Sequence, residues 1–125
     1  MLYLTLEDIL GIRDQIAAVY NDRFEIMSFN GLMSALAAPR RSAFGVELFP
    51  TLAEKAGALV YGLVQNHPFW DGNKRIAAAA LRLFLDRNSA TLAASDADLQ
   101  AFAIDIARGS LRAGDLETWL RDHIE

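Results

Sequence analysis

The sequence predicts an all-α fold, a single domain of about six helices with at most a small β-hairpin. Apolar residues recur at helical spacing in several segments, and two of these segments begin with a Ser or Thr followed three residues later by Asp, a helix N-cap pattern. The chain has 125 residues and 53% apolar content, which suits one full hydrophobic core. No repeat, low-complexity tract or linker divides it. We therefore expect one domain over residues 1–125.

The first half of the chain is predicted to hold two helices and one less regular segment. A helix from Thr5 to Tyr20 follows from the capping box of Thr5 with Asp8 and from an apolar stripe that includes Val19 and Tyr20. A short helix from Phe29 to Ala37 is closed by the proline that follows it. The segment from Pro39 to Pro50 keeps neither helical nor strand periodicity, so it is predicted to be a loop or a small hairpin.

The second half of the chain is predicted to hold four helices. The first runs from Thr51 to Asn66 and stops there because Pro68 disfavours the helical conformation of the residue before it. A helix from about Asn73 to Asn88 follows, and its run of alanines permits close approach of a neighbouring helix. The fifth helix starts after Ser95 and is ended by Gly109. The last helix is predicted from Asp115 to His123, with Leu116, Trp119 and Leu120 facing inward.

Composition narrows the classes of function. A net charge of -4 with 22% charged residues argues against a broad nucleic-acid-binding surface. Cysteine is absent, which excludes disulfides and thiolate chemistry and is compatible with a reducing compartment. The N-terminus lacks the basic region of a signal peptide, and charged residues interrupt the longest apolar run before it reaches membrane-spanning length. We expect a cytoplasmic protein that binds neither membrane nor nucleic acid.

The segment from Asn66 to Arg75 carries the strongest functional pattern, with the sequence Asn-His-Pro-Phe-Trp-Asp-Gly-Asn-Lys-Arg. Lys74 and Arg75 fall in the opening turn of a predicted helix, where the helix dipole is positive and cations are unfavourable. Free backbone N–H groups at a helix start already attract anions, and two cations strengthen that attraction. The sequence therefore predicts a site for a phosphate-bearing ligand, although solvated cations alone would give the same pattern.

The neighbouring polar residues have two interpretations each. Gly72, in an Asp-Gly turn, permits a positive φ angle and a close backbone approach by a ligand. Asp71 suits either a helix N-cap or a ligand of Mg²⁺ that bridges nucleotide phosphates. Asn73 suits either a cap or an amide donor to a phosphate oxygen, whereas Asn66 is expected to cap the end of the preceding helix.

His67 is the candidate general base of this segment. Imidazole is the side chain best suited to accept a proton near neutral pH, and Phe69 is expected to anchor the loop in the core. The other histidine, His123, lies near the C-terminus and is expected to be structural. No Cys, His or carboxylate stands at zinc-ligand spacing, so a transition-metal site is not expected.

The segment from His67 to Arg75 resembles the signature of the Fic/Doc superfamily, most closely its death-on-curing (Doc) branch. Members that transfer AMP read His-x-Phe-x-Asp/Glu-Gly-Asn-Gly-Arg, whereas this chain has Lys74 in place of the last glycine. It also has Ala78 where the AMP-transferring members carry a further arginine. Both departures favour the Doc branch, and the resemblance extends over most of the chain.

The resemblance implies an activity and a role for each motif residue. Doc-like proteins are kinase toxins that move the γ-phosphate of ATP to a Ser or Thr hydroxyl of elongation factor Tu, arrest translation, and are silenced by an antitoxin whose disordered C-terminal segment folds onto them. By this resemblance His67 is the base, Asp71 holds Mg²⁺, and the ATP phosphates are bound by Gly72, Asn73, Lys74 and Arg75. Asn66 and Phe69 support the loop. The target-docking flap, which pairs with the target backbone, would comprise Arg40, Arg41, Ser42, Ala43, Phe44 and Gly45.

The sequence leaves two alternatives open. An AMP-transferase is one, because Gly72 follows Asp71 as in the AMP-transferring members rather than the alanine of some Doc proteins. A catalytically silent binding module is the other, although the intact His67, Asp71, Asn73 and Arg75 argue against it.

Overall fold

A computed structural model describes the backbone of residues 1–125 and every side chain except that of Ala113. Over these residues the chain forms six α-helices and one two-stranded antiparallel hairpin, which confirms the predicted fold class. The elements in chain order are α1 (Leu6–Ala17), α2 (Phe29–Ala37), a 3-10 turn (Ala38–Arg40), β1 (Ser42–Ala43), β2 (Val46–Glu47), α3 (Leu52–Gln65), α4 (Asn73–Arg87), α5 (Asp96–Ala107) and α6 (Ala113–His123).

Helix α3 lies at the centre of the molecule and is covered on several sides. It contacts α2, α4, α5, α6 and the 3-10 turn, and most of its side chains are buried. Small residues allow this crowding. A Cβ on Gly62 would lie 2.9 Å from the backbone of Ala35, so glycine lets α2 and α3 pack backbone to backbone. On α4, Ala77 and Ala80 are fully buried, as the predicted close helix approach requires.

The hairpin is held to α3 by a buried cation. The register pairs Ser42 with Glu47, and the Lys55 side chain of α3 reaches the Glu47 carboxylate at 3.0 Å and the Pro39 carbonyl at 3.3 Å. Lys55 is only 2% exposed. Burial disfavours its charged form, but the Glu47 carboxylate and Tyr3 together outweigh burial and raise the pKa of Lys55 above its ordinary value. The lysine therefore stays charged and fixes the hairpin to the central helix.

Two predicted helix boundaries are wrong. The first helix ends at Ala17 instead of Tyr20, and Val19 is 78% exposed although the apolar stripe placed it in the core. Both Val19 and Tyr20 donate their backbone N–H groups to the Ile16 carbonyl, in a turn that closes the helix. The last helix starts at Ala113, two residues early, because the Asp115 carboxylate accepts the N–H of Arg112 at 3.0 Å and caps that end.

The chain termini are tied to the end of α4. Asn88 exchanges two hydrogen bonds with the backbone of Leu2, at 2.8 and 2.9 Å, and residues 91–93 pair with residues 123–125. The Arg87 guanidinium binds both carboxylate oxygens of Asp8 in α1, at 2.5 and 2.7 Å. The helices that the structure describes include none that is long and apolar enough to cross a membrane.

Acid unfolding should report the pair of Asp8 and Arg87. The hydrogen bond from Arg87 is the main reason that the pKa of Asp8 falls from its ordinary 3.8 to about 2. Because the folded carboxylate stays charged below the pH at which the unfolded one protonates, its stabilisation is complete above about pH 4 and is lost as the pH falls towards 2. Asp8→Asn should therefore lower the free energy of unfolding by about 1–2 kcal/mol at pH 7 and by almost nothing at pH 2.

Urea denaturation between pH 2 and pH 7 measures this difference. The matched control is Glu7→Gln, at the exposed neighbouring acid in the same helical turn. A difference between wild type and Asp8→Asn that stays constant over the whole pH range would show that ionisation of Asp8 is not its cause.

Candidate active site

The motif loop, residues 66–75, joins α3 to α4 through a left-handed turn at His67. The helix stops at Gln65 with Asn66 as its C-cap, as predicted from Pro68. His67 has a φ angle of +46°, a conformation that is uncommon outside glycine but that histidine adopts more readily than most residues. The turn leaves the His67 side chain exposed just beyond the end of α3, where a second molecule can reach it.

Asn66 fixes the start of this loop to α2. Its backbone N–H donates to Gly62 inside α3, and its side-chain amide donates to the carbonyl of Gly31 at 3.0 Å. A Cβ on Gly31 would lie 3.1 Å from the Asn66 carbonyl, so the two backbones are in contact. The residue therefore ends one helix, as predicted, and also ties it to another.

The rest of the loop is paired with a distant extended segment that sequence reasoning missed. Backbone hydrogen bonds of 2.8–3.1 Å join residues 23–28, called here the pairing segment, to residues 68–71 in antiparallel fashion. The available signal was the alternation of charged Arg23 and Glu25 with apolar Phe24 and Ile26, typical of a short strand. Its partner lies 40 or more residues away along the chain, so no local pattern could identify it.

Phe69 and Asn73 close the loop from the inside. The Phe69 ring is fully buried, which places it where the sequence predicted an anchor. Asn73 is 7% exposed, and its side chain both accepts the N–H of Phe69 at 3.0 Å and donates to the Phe69 carbonyl at 2.9 Å. The Asn73 side chain is therefore engaged within the loop itself, a partner that the two predicted roles of this residue did not include.

Gly72 precedes α4 with a φ angle of +80°, the positive value that the Asp-Gly turn predicted. A Cβ at this position would overlap the ring of Phe24 in the pairing segment. The space that a side chain would need is therefore filled by the protein itself. The sequence predicted that a ligand would approach the backbone closely at Gly72. In the structure, the group that lies against this backbone is the Phe24 ring.

Asp71 is exposed, and the backbone of the pairing segment engages one of its carboxylate oxygens. Its Oδ2 accepts the backbone N–H of Arg23 at 3.2 Å, and its own N–H donates to the Arg23 carbonyl at 2.8 Å. The Arg23 guanidinium turns away to the Trp70 ring and to Glu25. Among the described residues, no cluster of three or more His, Cys, Asp or Glu side chains has a metal-binding arrangement.

The first turn of α4 combines two cations with an uncapped helix start. Helices α1, α2, α3 and α5 each begin with a Ser or Thr whose oxygen accepts an N–H of the first turn, whereas α4 begins with Gly72 and has no side-chain cap. Lys74 is exposed and pairs with no acid among the described side chains. The free N–H groups and the charge of Lys74 together make this turn strongly attractive to an anion.

Arg75 is held by two residues that the sequence did not assign to the site. Its guanidinium carbon lies 4.0 Å from the centre of the Tyr20 ring, and its Nη1 lies 3.5 Å from the carboxylate of Asp22. The apolar stripe assigns Tyr20 to the core face of the first helix. Instead it is half-exposed and stacks on the motif arginine, a contact for which the sequence contains no local signal.

The predicted flap coincides with the hairpin and its approach. Arg40 lies over the ring of Tyr3 in the N-terminal segment, and the Arg41 guanidinium donates to the Ser34 hydroxyl at 2.8 Å. Ser42 and Ala43 form β1, and Phe44 with Gly45 forms the exposed turn. The predicted small hairpin between Pro39 and Pro50 is therefore confirmed.

A groove of about 760 Å³ runs along α3 between α2 and α6. Its floor is one stripe of α3 at helical spacing, with Ala35 and Ala38 on one side and Leu111 and Leu116 on the other. The groove reaches Asn66 but includes none of the residues from His67 to Arg75. The stripe consists of Glu54, Gly57, Ala58, Tyr61, Gly62 and Gln65.

Comparisons with known proteins point to one family. A family model with the description Fic/DOC family matches residues 3–85, which include α1 to α3, the hairpin and the whole motif loop. A curated relative named Toxin Doc, from Mycolicibacterium smegmatis, is 37% identical over 92 residues, and the match covers 74% of this chain and 68% of the relative.

Replacing Gly72 by alanine should damage the fold more than the same change at Gly109. Gly109 has a similar φ angle of +74°, and a Cβ there would meet nothing within 4 Å, whereas Gly72 faces Phe24. Gly109→Ala should cost about 1–2 kcal/mol of unfolding free energy from backbone strain alone. Gly72→Ala should cost roughly 2–5 kcal/mol, because overpacking adds to that strain.

A double-mutant cycle with Phe24→Leu isolates the contact. In thermal or urea unfolding, the double variant should be more stable than the sum of the two single losses predicts. Additive losses would mean that the Phe24 ring does not explain the need for glycine.

Proposed function

Because the chain belongs to the Fic/Doc family, we propose that it is the toxin of a toxin–antitoxin module and acts as an ATP-dependent protein kinase. The substrate would be a Ser or Thr hydroxyl of elongation factor Tu in the cytoplasm, and its phosphorylation would inhibit translation. The family match and the similarity to a protein named Toxin Doc support the module. The geometry of the motif loop supports the chemistry.

The observation that carries the proposal is the start of α4. An uncapped helix N-terminus with an exposed Lys74 and a half-exposed Arg75 places N–H donors and two positive charges within one helical turn. That arrangement costs the free protein stability, since cations oppose the helix dipole. A polyphosphate would offset the cost by accepting the N–H groups and neutralising both charges.

The residues present suit Mg²⁺ in the form in which it accompanies a nucleotide. Such an ion takes one or two carboxylates from the protein and completes its shell with phosphate oxygens and water. Asp71 offers one oxygen after its bond to the Arg23 backbone, so it would hold the ion from one side only. When bound, Mg²⁺ would neutralise charge on the phosphates.

The proton transfer falls to His67. Its ring is exposed beyond α3, and its backbone lies between Pro68 and Asn66, whose side chain is bonded to Gly31 of α2. It would take the proton of the target hydroxyl while that oxygen bonds to the γ-phosphorus and the bond from this phosphorus to the β-phosphate oxygen breaks. ADP leaves, and the phosphoryl group stays on the protein. Arg75, steadied by the Tyr20 ring, would stabilise the charge that builds up on the leaving phosphates.

Lys74 distinguishes this proposal from AMP transfer. The AMP-transferring members have glycine at this position, whereas this chain has an exposed lysine, Lys74, in the first turn of α4. Gly72, the residue that favours an AMP-transferase in the sequence, is explained by the ring of Phe24. An AMP-transferase and a silent binding module are the alternatives to the kinase. Among the described residues, no structural feature favours either of them.

The groove along α3 suits the antitoxin. Its floor from Glu54 to Gln65 spans 11 helical steps, about 16 Å, which matches roughly three turns of a bound helix. Glycine and alanine in the floor let a helix backbone come close, and Arg112 and Glu117 on one rim could fix its register. We propose that the disordered C-terminal segment of the antitoxin folds into this groove as an amphipathic helix.

Labelled ATP tests the reaction. With purified elongation factor Tu, label on the γ-phosphate should be retained by the target and label on the α-phosphate should not. His67→Ala should reduce the transfer rate by about 100-fold or more, because general-base catalysis contributes on that scale. The matched control is His123→Ala, since that ring stacks on Trp119 and bonds to its carbonyl, away from the loop.

Label retained only from the α-phosphate would replace the kinase proposal by AMP transfer. Full transfer by His67→Ala would remove this residue from the chemistry, and failure of both nucleotides to label any protein in a bacterial extract would favour the silent module.

A bulky charged side chain in the groove should weaken binding of the antitoxin without weakening toxicity. Ala58→Arg places a guanidinium on the half-buried floor of the groove. The variant should still arrest growth when expressed, because the motif loop is untouched, yet bind the cognate antitoxin at least about tenfold more weakly. Isothermal calorimetry measures the affinity, and Ala17→Arg on the exposed end of α1 is the control. Unchanged affinity of Ala58→Arg would place the antitoxin elsewhere.

A further inference from the structure

Arg75 is held by one ring contact and by one ion pair. The centre of the Tyr20 ring lies 4.0 Å from its guanidinium carbon, well inside the range of a cation–π contact. The Asp22 carboxylate approaches Nη1 at 3.5 Å, which is long for a hydrogen bond between charged groups. Among the described residues, the guanidinium makes no other hydrogen bond. The ring contact is therefore close, whereas the ion pair is loose.

Another ion pair of this protein has a much tighter geometry. Arg87 binds Asp8 through two nitrogens, at 2.5 and 2.7 Å, and the Asp8 side chain is 15% exposed. The Asp22 side chain is 46% exposed and meets Arg75 through a single long contact. Exposed single contacts of this kind add little to stability, because water solvates both charges. A ligand oxygen that replaced Asp22 at Arg75 would therefore remove little of the stability of the fold.

The backbone that carries Tyr20 and Asp22 is fixed at both ends. At one end, the N–H of Tyr20 donates to the carbonyl of Ile16, in the last turn of α1, at 3.0 Å. At the other end, Arg23 donates its N–H to the Asp71 carboxylate at 3.2 Å, and its carbonyl accepts the N–H of Asp71 at 2.8 Å. The second pair of bonds ties this turn to the motif loop. The ring and the carboxylate therefore have set places beside the first turn of α4.

The charges around Arg75 favour exchange of Asp22 for phosphate. Phosphate oxygens can accept two guanidinium N–H groups side by side, whereas Asp22 accepts one at 3.5 Å. Lys74, the next cation, pairs with no acid among the described side chains. Because the phosphates of a nucleotide carry more than one negative charge, they can pair with Lys74 as well as with Arg75. Asp22 pairs with Arg75 alone.

We propose that Asp22 holds Arg75 until a nucleotide binds and then gives the guanidinium up to the phosphates, while the Tyr20 ring keeps the guanidinium in place during the exchange. Both are positioning residues, since they act through Arg75. The inference rests on the proposed function and adds to it two residues outside the motif. Asp22 sets how tightly ATP binds, and Tyr20 sets how well Arg75 is aimed at the phosphates during transfer.

Asp22→Asn tests the exchange, because it removes the competing charge and keeps the size of the side chain. Its dissociation constant for ATP with Mg²⁺ should fall about threefold to tenfold, the effect of one charge beside a half-exposed cation. In the background of Arg75→Ala the same change should alter the constant by less than about twofold, because Asp22 acts through Arg75. Isothermal titration calorimetry measures these affinities without any protein substrate.

The matched control is Asp14→Asn in α1. Asp14 also pairs with an arginine, Arg13 at 2.7 Å, and its substitution changes the net charge of the protein equally. This variant should bind ATP as the wild type does. An equal gain in Asp14→Asn would assign the effect to net charge and overturn the exchange. An unchanged affinity in Asp22→Asn, or a gain that survives in Arg75→Ala, would overturn it as well.

Tyr20→Ala tests the ring. It should lower kcat for transfer of the γ-phosphate to elongation factor Tu about tenfold and change the KM for ATP by less than about twofold, because a misaimed arginine chiefly weakens binding of the transition state. Tyr20→Phe, which keeps the ring, should retain the rate. In the background of Arg75→Ala, Tyr20→Ala should have no further effect. Wild-type kcat in Tyr20→Ala would overturn the role of the ring, and so would an equal loss in Tyr20→Phe.

The kinase proposal and the exchange fail in different ways. If only α-phosphate label is transferred, the kinase proposal falls, but tighter ATP binding by Asp22→Asn that requires Arg75 would still support the exchange. If the γ-phosphate is transferred and Asp22→Asn binds ATP no more tightly than the wild type does, the exchange alone falls. If the wild type binds no ATP, both proposals fall.

Discussion

The motif loop depends on one buried pair of hydrogen bonds, those between the Asn73 side chain and the backbone of Phe69. A buried amide is stabilising only when its polar atoms are bonded, and here the carbonyl and the amino group of Asn73 are both used. The pair sets where α4 begins and how far it stands from the end of α3. His67 on one side and Lys74 on the other then have fixed places, although neither side chain is buried.

This constraint divides the loop into two sets of residues. The inner set packs against the protein: Phe69 and Asn73 are buried, and Gly72 lies against the Phe24 ring. The outer set is His67 and Lys74, whose side chains are exposed. The inner set holds the backbone closed against the pairing segment, so the outer set needs no rearrangement before it meets a ligand. Such prior ordering is what phosphoryl transfer demands of a protein, since the reaction depends more on positioning and charge than on covalent chemistry.

Sequence patterns predicted the helix boundaries that are set by residues close by in the chain. Pro68 fixes the end of α3, and serine or threonine caps fix the starts of most other helices, so those boundaries followed from neighbouring residues. The failures have distant causes. Tyr20 continued an apolar stripe, but whether a stripe is covered depends on which elements pack beside it, and here the ring meets Arg75 instead. The pairing segment could be seen as a short alternating stretch, yet its register against the motif loop is a tertiary fact. The family was predicted from the resemblance of the nine motif residues to the Fic/Doc signature. Helix periodicity, capping and composition alone did not identify it.

Helix α3 connects the three surfaces to which a role is assigned. Lys55 near its start holds the hairpin, its middle forms the floor of the groove, and its end carries Asn66 and then His67. Because α3 is packed on several sides by other helices, it cannot bend independently of them. A helix bound in the groove would therefore reach Asn66, one residue from the proposed base, without touching His67 itself. Asn66 also binds Gly31 of α2, so the residue that closes one end of the groove ties α2 to the residue just before the proposed base.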